Sequence, residues 1–187
     1  MEEILKVKIV EDKNMRQQIW QTYIESFADT DDFCAQDQMC YNEKNMETAL
    51  LDSDYWKFIL LLDGRPIGLC LLTNNLTKAR IAYCNDRYLR KKFPNYTAQG
   101  KLYYVTAICV LPNQQKQGKG IELLKAVCQF IFDTQSMVAY DYSLNKNPSL
   151  TSLIQFVGKK MGWNAIEIPL DEQHYTSLYW DHNPKPD

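Results

Sequence analysis

No two cysteines of this chain stand in a C-x-x-C pair, and histidine occurs only at His174 and His182. A zinc site or a disulfide framework therefore has no ligand pattern to rest on. Of the six cysteines, Cys70, Cys109 and Cys128 sit inside apolar runs, where a reduced thiol acts as a small hydrophobe and suits a cytoplasmic compartment. Neither sign of charge dominates: the net charge is −2, which offers no basic face to a nucleic-acid duplex. Long hydrophobic runs are missing too. "FILLLDG" is cut off by Asp63-Gly64, well short of the roughly 20 residues of a membrane-spanning helix, and Met1-Glu2-Glu3-Ile4-Leu5-Lys6 is too charged to open a signal peptide.

What is present is the mixture of an ordinary globular protein, 45% hydrophobic and 24% charged over 187 residues, enough for one domain spanning 1–187 with a real core. Leu5, Val7 and Ile9 alternate as a half-buried strand, and Asp12 is placed to cap a helix carrying Met15, Ile19, Tyr23 and Phe27. Residues 34–51 read as a second, less regular helix. Two apolar runs around Asp63-Gly64 form a hairpin. The basic, aromatic stretch 77–100 reads as an insertion before the next strand, either covering a cleft or serving as a solvated connector. "LYYVTAICVLP" is a continuous strand, Leu124, Val127, Cys128 and Ile131 stripe the helix after it, and "MVAYDYSL" is another strand. Asn147-Pro148 opens a further helix that Gly162 ends, and "AIEIPL" and "TSLYW" close the chain as two strands. No repeat or linker interrupts this order. The fold class is mixed α/β (α+β), with about seven strands.

Between the long strand and its helix lies Gln115-Lys116-Gln117-Gly118-Lys119-Gly120. The first N–H groups of a helix lack intrahelical acceptors and carry partial positive charge, and glycines let an anion approach them without a Cβ in the way. Lys116 and Lys119 add charge, so the loop suits a phosphate. It is not a P-loop, because the glycine required five positions before Gly118 is Asn113. Nor is it a dinucleotide loop, because the third glycine position is Leu123. An ordinary tight turn is the plain alternative.

Gln115-x-x-Gly118-x-Gly120 after a strand ending Cys109-Val110-Leu111-Pro112 resembles the Q/R-x-x-G-x-G/A signature of the GNAT superfamily of acyl-CoA-dependent N-acyltransferases. The order of elements agrees over most of the chain, and Lys160-Met161-Gly162-Trp163 looks like the family's K-x-G-F ending. The resemblance implies a mostly antiparallel sheet flanked by helices and splayed between strands 4 and 5. It implies acetyl-CoA as co-substrate, no metal, and a small-molecule or peptide amine as acceptor. It places the cofactor's pyrophosphate on the loop from Gln115 through Lys116, Gln117, Gly118, Lys119 and Gly120 to Ile121. Its pantetheine arm lies along Ile108, Cys109 and Val110, with Asn147 and Ser152 on the far side and Lys159 and Lys160 as candidates for the 3′-phosphate. The Val110 N–H would serve as oxyanion donor. The family's usual helix tyrosine is missing, since the two ways of counting to it land on Gly158 and Ile154. Tyr142 is the named substitute, with Tyr140 and Tyr175 as further candidates, and no carboxylate lies between Lys101 and Pro112 to act as a base on the strand. A non-catalytic acyl-CoA-binding regulatory module and an unrelated interaction domain are the competing functions. "TSLYW" either finishes the sheet or pairs with a second subunit in a homodimer.

Overall fold

The structure, a computed structural model, describes residues 1–32, 34, 39–82, 84–115, 117–172, 174 and 176. Strand β1 (Glu2–Val7) leads to helix α1 (Lys13–Phe27), whose first turn is closed by Asp12 Oδ1 accepting from Met15 N–H at 2.9 Å. Helix α2 (Glu43–Leu51) begins only at Asn42, which caps Asn45 N–H in the same way. The helical reading of 34–51 was therefore too long at its N-terminal end: a capping side chain, rather than the partial apolar stripe before it, fixes the boundary.

Strands β2 (Tyr55–Leu62) and β3 (Arg65–Thr73) form the expected hairpin, with Asp63 and Gly64 both at positive φ, 50° and 77°, as its two-residue turn demands. Within 77–100 the described residues form a 3₁₀ turn (Lys78–Ala82) and two short helices, α3 (Asp86–Lys92) and α4 (Pro94–Ala98). Strand β4 (Leu102–Val110), helices α5 (Pro112–Gln115) and α6 (Lys119–Asp133), strand β5 (Met137–Ala139) and helix α7 (Leu150–Lys160) follow.

The strands form one sheet in the order β1-β2-β3-β4-β5, antiparallel throughout except for the parallel β4–β5 pair. Ile19, Tyr23, Met46 and Leu50 of α1 and α2 pack on one face against Ile59, Leu69 and Leu71. On the other face the α6 stripe of Leu123, Val127 and Phe130 packs on Phe58, Leu60, Cys70, Leu72 and Tyr103, with the Phe130 ring 5.3 Å from both Trp56 and Tyr103.

Three expectations are corrected. The described residues give five strands, not about seven: 165–170 pairs with no strand, and its alternation leaves Ile166 80% exposed. Of "TSLYW", all but Thr176 lies outside the described residues. Strand β5 stops after three residues, so most of "MVAYDYSL" has left the sheet, and α7 starts after Ser149 rather than at Pro148. Its other end is as expected: Gly162 at φ 84° lets Trp163 N–H reach Gly158 O at 2.9 Å and Gly162 N–H reach Lys159 O at 3.1 Å.

Lys57 on β2 is fully buried, and its ammonium donates to Lys8 O at 2.6 Å, Asp52 O at 2.5 Å and Tyr55 O at 3.2 Å. Burial depresses its pKa to about 8. The folded state therefore releases this proton earlier than the unfolded chain, and stability rises as pH climbs from about 8 toward the unfolded lysine value of about 10.4. Denaturant unfolding at pH 7 and pH 10 should show the native chain gaining up to about 3 kcal/mol relative to Lys57→Met. An identical pH response in both proteins would contradict this.

Candidate active site

The parallel ladder joins Leu102 to Met137, Tyr103 to Val138 and Tyr104 to Ala139, and ends there, while β4 runs on for six more residues. Leu111 N–H donates to Ile67 O at 2.9 Å on the β3 side. Strand alternation then turns Cys109 and Ala107 toward β3, and Ile108 and Val110 toward the gap that β5 has left. The Val110 carbonyl is occupied, accepting from Gln115 Nε2 at 2.9 Å. Among the described residues the edge still offers Ile108 N–H, Ile108 C=O and Val110 N–H.

The loop divides in the same manner. Gln115 N–H donates to Leu111 O at 3.2 Å and Gln117 N–H to Gln114 O at 3.1 Å, so both amides are engaged within the protein. Gln115 is thus tied to the end of β4 through main chain and side chain alike. Lys116 lies outside the described residues. Gly118, at φ 77°, is the N-cap of α6, and Ile121 N–H bonds back to its carbonyl at 3.0 Å. Among the described residues the N–H groups of Gly118, Lys119 and Gly120 meet no acceptor. They are successive orphan donors at the positive end of a 15-residue helix.

The two glycines differ. Gly118 needs its positive φ, whereas Gly120 has no such conformation, and a Cβ added to it would meet no atom within 4 Å. Protein packing gives no reason for glycine at 120; an anion lying against the backbone does. The Lys119 ammonium pairs with the Glu2 carboxylate, so its charge is partly neutralised. These residues fit a diphosphate bound by main-chain donors.

Beyond the ladder, residues 140–142 turn their side chains alternately. Tyr140 and Tyr142 approach the hydroxyl of Thr151 on α7, at 3.4 and 3.2 Å, and Thr151 donates to Glu167 at 3.0 Å. Asp141 points the other way, and its carboxylate accepts from the Tyr104 hydroxyl on β4. Burial raises the Asp141 pKa, with the Tyr104 hydrogen bond working against it. Burial first and the Asp141 charge second push the Tyr104 hydroxyl upward as well, and burial holds the neighbouring Cys84 thiol at about 11. Sequence reading passed over Asp141 as a site residue. Its signal was a carboxylate standing between two tyrosines, just past a strand end.

Cys109, between the two gap-facing residues, is buried with a pKa pushed up to about 12, so its thiol is not poised as a nucleophile. Gly158 is buried, and a Cβ there would already stand in contact with the Ala165 Cβ at 3.4 Å and Trp163 O at 3.5 Å. Asn147 is exposed at the start of the turn before α7. Ser152 and Lys159 line an open cavity of about 780 Å³ with Gln155, Phe156 and Trp163, and that cavity shares no residue with the loop or β4. The Lys160 ammonium sits 5.6 Å from the Phe156 ring. Tyr175 lies outside the described residues. Among the described residues no group of three His, Cys, Asp or Glu is placed to hold a metal ion, and no helix is long and apolar enough to cross a membrane.

The profile of the Acetyltransferase (GNAT) family matches residues 14–163. The chain belongs to that family and is an acyltransferase. No curated protein matches it. Among solved structures, it is similar to an aminoglycoside acetyltransferase, meta-AAC0020, from an uncultured soil metagenomic sample, in complex with trehalose, with TM-score 0.53 and 15% identity over 95% of this chain and 97% of that one. Aminoglycoside N-acetyltransferase AAC(6')-Iy in complex with CoA gives TM-score 0.50 and 15% identity over 94% and 96%. Ribosomal-protein-alanine N-acetyltransferase from Brucella melitensis biovar Abortus 2308 gives TM-score 0.50 and 9% identity over 94% and 100%. At these identities the likeness establishes the fold.

Proposed function

We propose that this protein is a cytoplasmic N-acetyltransferase that moves an acetyl group from acetyl-CoA to a primary amine of a small molecule or peptide by direct attack on the thioester. The observation that carries the reading is a set of main-chain donors that meet no acceptor among the described residues, at Ile108 and Val110 on β4 and at Gly118, Lys119 and Gly120 at the start of α6. Acetyl-CoA supplies the activated acyl group. The loop amides hold its diphosphate, and the β4 edge takes its pantetheine amides as a substitute for the missing strand. The similar solved structures include aminoglycoside acetyltransferases and a ribosomal-protein-alanine acetyltransferase, which supports an amine acceptor without choosing between a small molecule and a peptide.

The residues divide the work by the way they face. Val110 N–H, the last donor to the pantetheine arm, passes to the thioester oxygen as charge develops on it. Asp141 attracts the acceptor ammonium and takes its proton; a lysine-like amine with pKa about 10.4 needs about 4.6 kcal/mol to become neutral at pH 7, and a positioned carboxylate lowers that demand. Tyr104 orients Asp141. On the other side Tyr142, held at Thr151, protonates the departing thiolate. Direct attack is the route we propose; it is supported by the burial of Cys109, which raises its thiol pKa and leaves it poorly suited to carry the acyl group.

The test is a thiol-release assay with acetyl-CoA and a panel of primary amines, run beside a thermal shift with acetyl-CoA alone. Stabilisation together with amine-dependent thiol release well above hydrolysis is expected. Stabilisation without release from any amine would favour the binding module that the missing helix tyrosine suggests, and no stabilisation at millimolar ligand would overturn the cofactor assignment.

A further inference from the structure

Gly68 on β3 stands opposite Val110, and its backbone lies outside the left-handed region that favours glycine. Its own conformation does not call for glycine. The cause lies across the ladder: a Cβ built on Gly68 would stand 3.0 Å from Val110 Cγ2, 3.1 Å from Cys109 O and 3.4 Å from Leu60 Cβ. A glycine inside a strand commonly marks such a close approach. The three contacts do not weigh equally. Val110 Cγ2 moves away by a change of rotamer, at modest cost. Cys109 O cannot, because it belongs to a planar peptide unit.

That same unit carries the Val110 N–H on its opposite side. Its carbonyl faces β3 and its N–H faces the gap beyond Tyr104. Any push on Cys109 O from a side chain at 68 therefore tilts the Val110 N–H out of line. We propose that Gly68 is the positioning residue for the open edge of β4: the missing Cβ sets the tilt of the Cys109–Val110 peptide and so aims the donor that meets the pantetheine arm. This rests on the acetyl-CoA reading of the site.

The experiment is calorimetric titration of CoA, and of adenosine 3′-phosphate 5′-diphosphate, which keeps the diphosphate and lacks the pantetheine arm. The proteins are the native chain, Gly68→Ala, and Gly68→Ala combined with Val110→Ala. The double variant relieves the Cγ2 contact but keeps the one with Cys109 O, so it carries the test should the single variant fold poorly. Both variants are expected to bind the truncated nucleotide within about twofold of the native value and CoA about tenfold more weakly, the loss of about one hydrogen bond. Equal weakening of both ligands, unchanged CoA affinity, or full recovery of CoA binding in the double variant would overturn the inference while leaving the acetyl-CoA reading intact. A native chain that binds neither ligand would overturn both.

Discussion

Gly120→Asp is expected to melt within a few degrees of the native chain and to lose coenzyme A binding by about a thousand-fold. The first half follows from the open space at 120: the backbone there is not left-handed, and a new Cβ touches nothing within 4 Å. An aspartate in the first turn also suits the positive end of the α6 dipole, so the helix itself has no reason to suffer. The second half is electrostatic. A carboxylate about 4 Å from a phosphate charge costs about 4 kcal/mol at an effective dielectric of about 20, which is close to three orders of magnitude in affinity. Gly118→Asp is the poorer probe, because it adds the strain of a side chain at φ 77° to the same repulsion. Calorimetry beside a melting curve separates the two effects. Unchanged CoA affinity in a folded Gly120→Asp protein would place the diphosphate elsewhere.

The second large effect concerns Asp141. Asp141→Asn keeps the shape of the side chain, removes the charge that attracts an ammonium and removes the proton acceptor, so kcat/KM should fall by about a hundred-fold near neutral pH. The pH profile carries the sign. In the native protein kcat/KM falls as pH drops through the Asp141 pKa, because a protonated carboxyl accepts nothing. Burial sets that pKa above the ordinary carboxylate value, and the Tyr104 hydroxyl pulls it back down by bonding the charged form. Tyr104→Phe should therefore move the acidic limb to higher pH, and Asp141→Asn should abolish it. Profiles of the three proteins with one good acceptor decide the matter; an unmoved limb in both variants would remove Asp141 from the chemistry.

The parts of the fold that were legible in the sequence are those fixed by local chemistry. Asp12 caps α1, Asp63-Gly64 turns the hairpin, Gly118 opens α6 and Gly162 closes α7, each because a side chain or a positive φ acts within a few residues. What was not legible depends on partners far away in sequence. The alternation of 165–170 is as regular as that of a strand, yet no neighbouring strand meets it among the described residues. The early end of β5 has the same origin: "MVAYDYSL" has strand composition throughout, but only three residues of it find β4.

The site shows the same division. The glycine spacing pointed to an anion loop, but only the fold shows that Gln115 and Gln117 spend their amides on the protein, while Gly118, Lys119 and Gly120 meet no acceptor among the described residues. Gln115 gave no sign in sequence that it binds the Val110 carbonyl and so ties the loop to the strand edge. Asp141 was visible as a letter but not as a neighbour of Tyr104, which lies 37 residues earlier in the chain.

The most direct test of the account is a coenzyme A titration followed residue by residue through the backbone amide signals of the isotopically labelled protein. At saturation, Gly118, Lys119, Gly120, Ile108 and Val110 should show the large shifts of amides that gain an acceptor, while Gln115 and Gln117, already bonded, move little. Unmoved signals for Gly118 to Gly120 in a fully occupied protein would contradict the claim that this loop and this strand edge are one binding site.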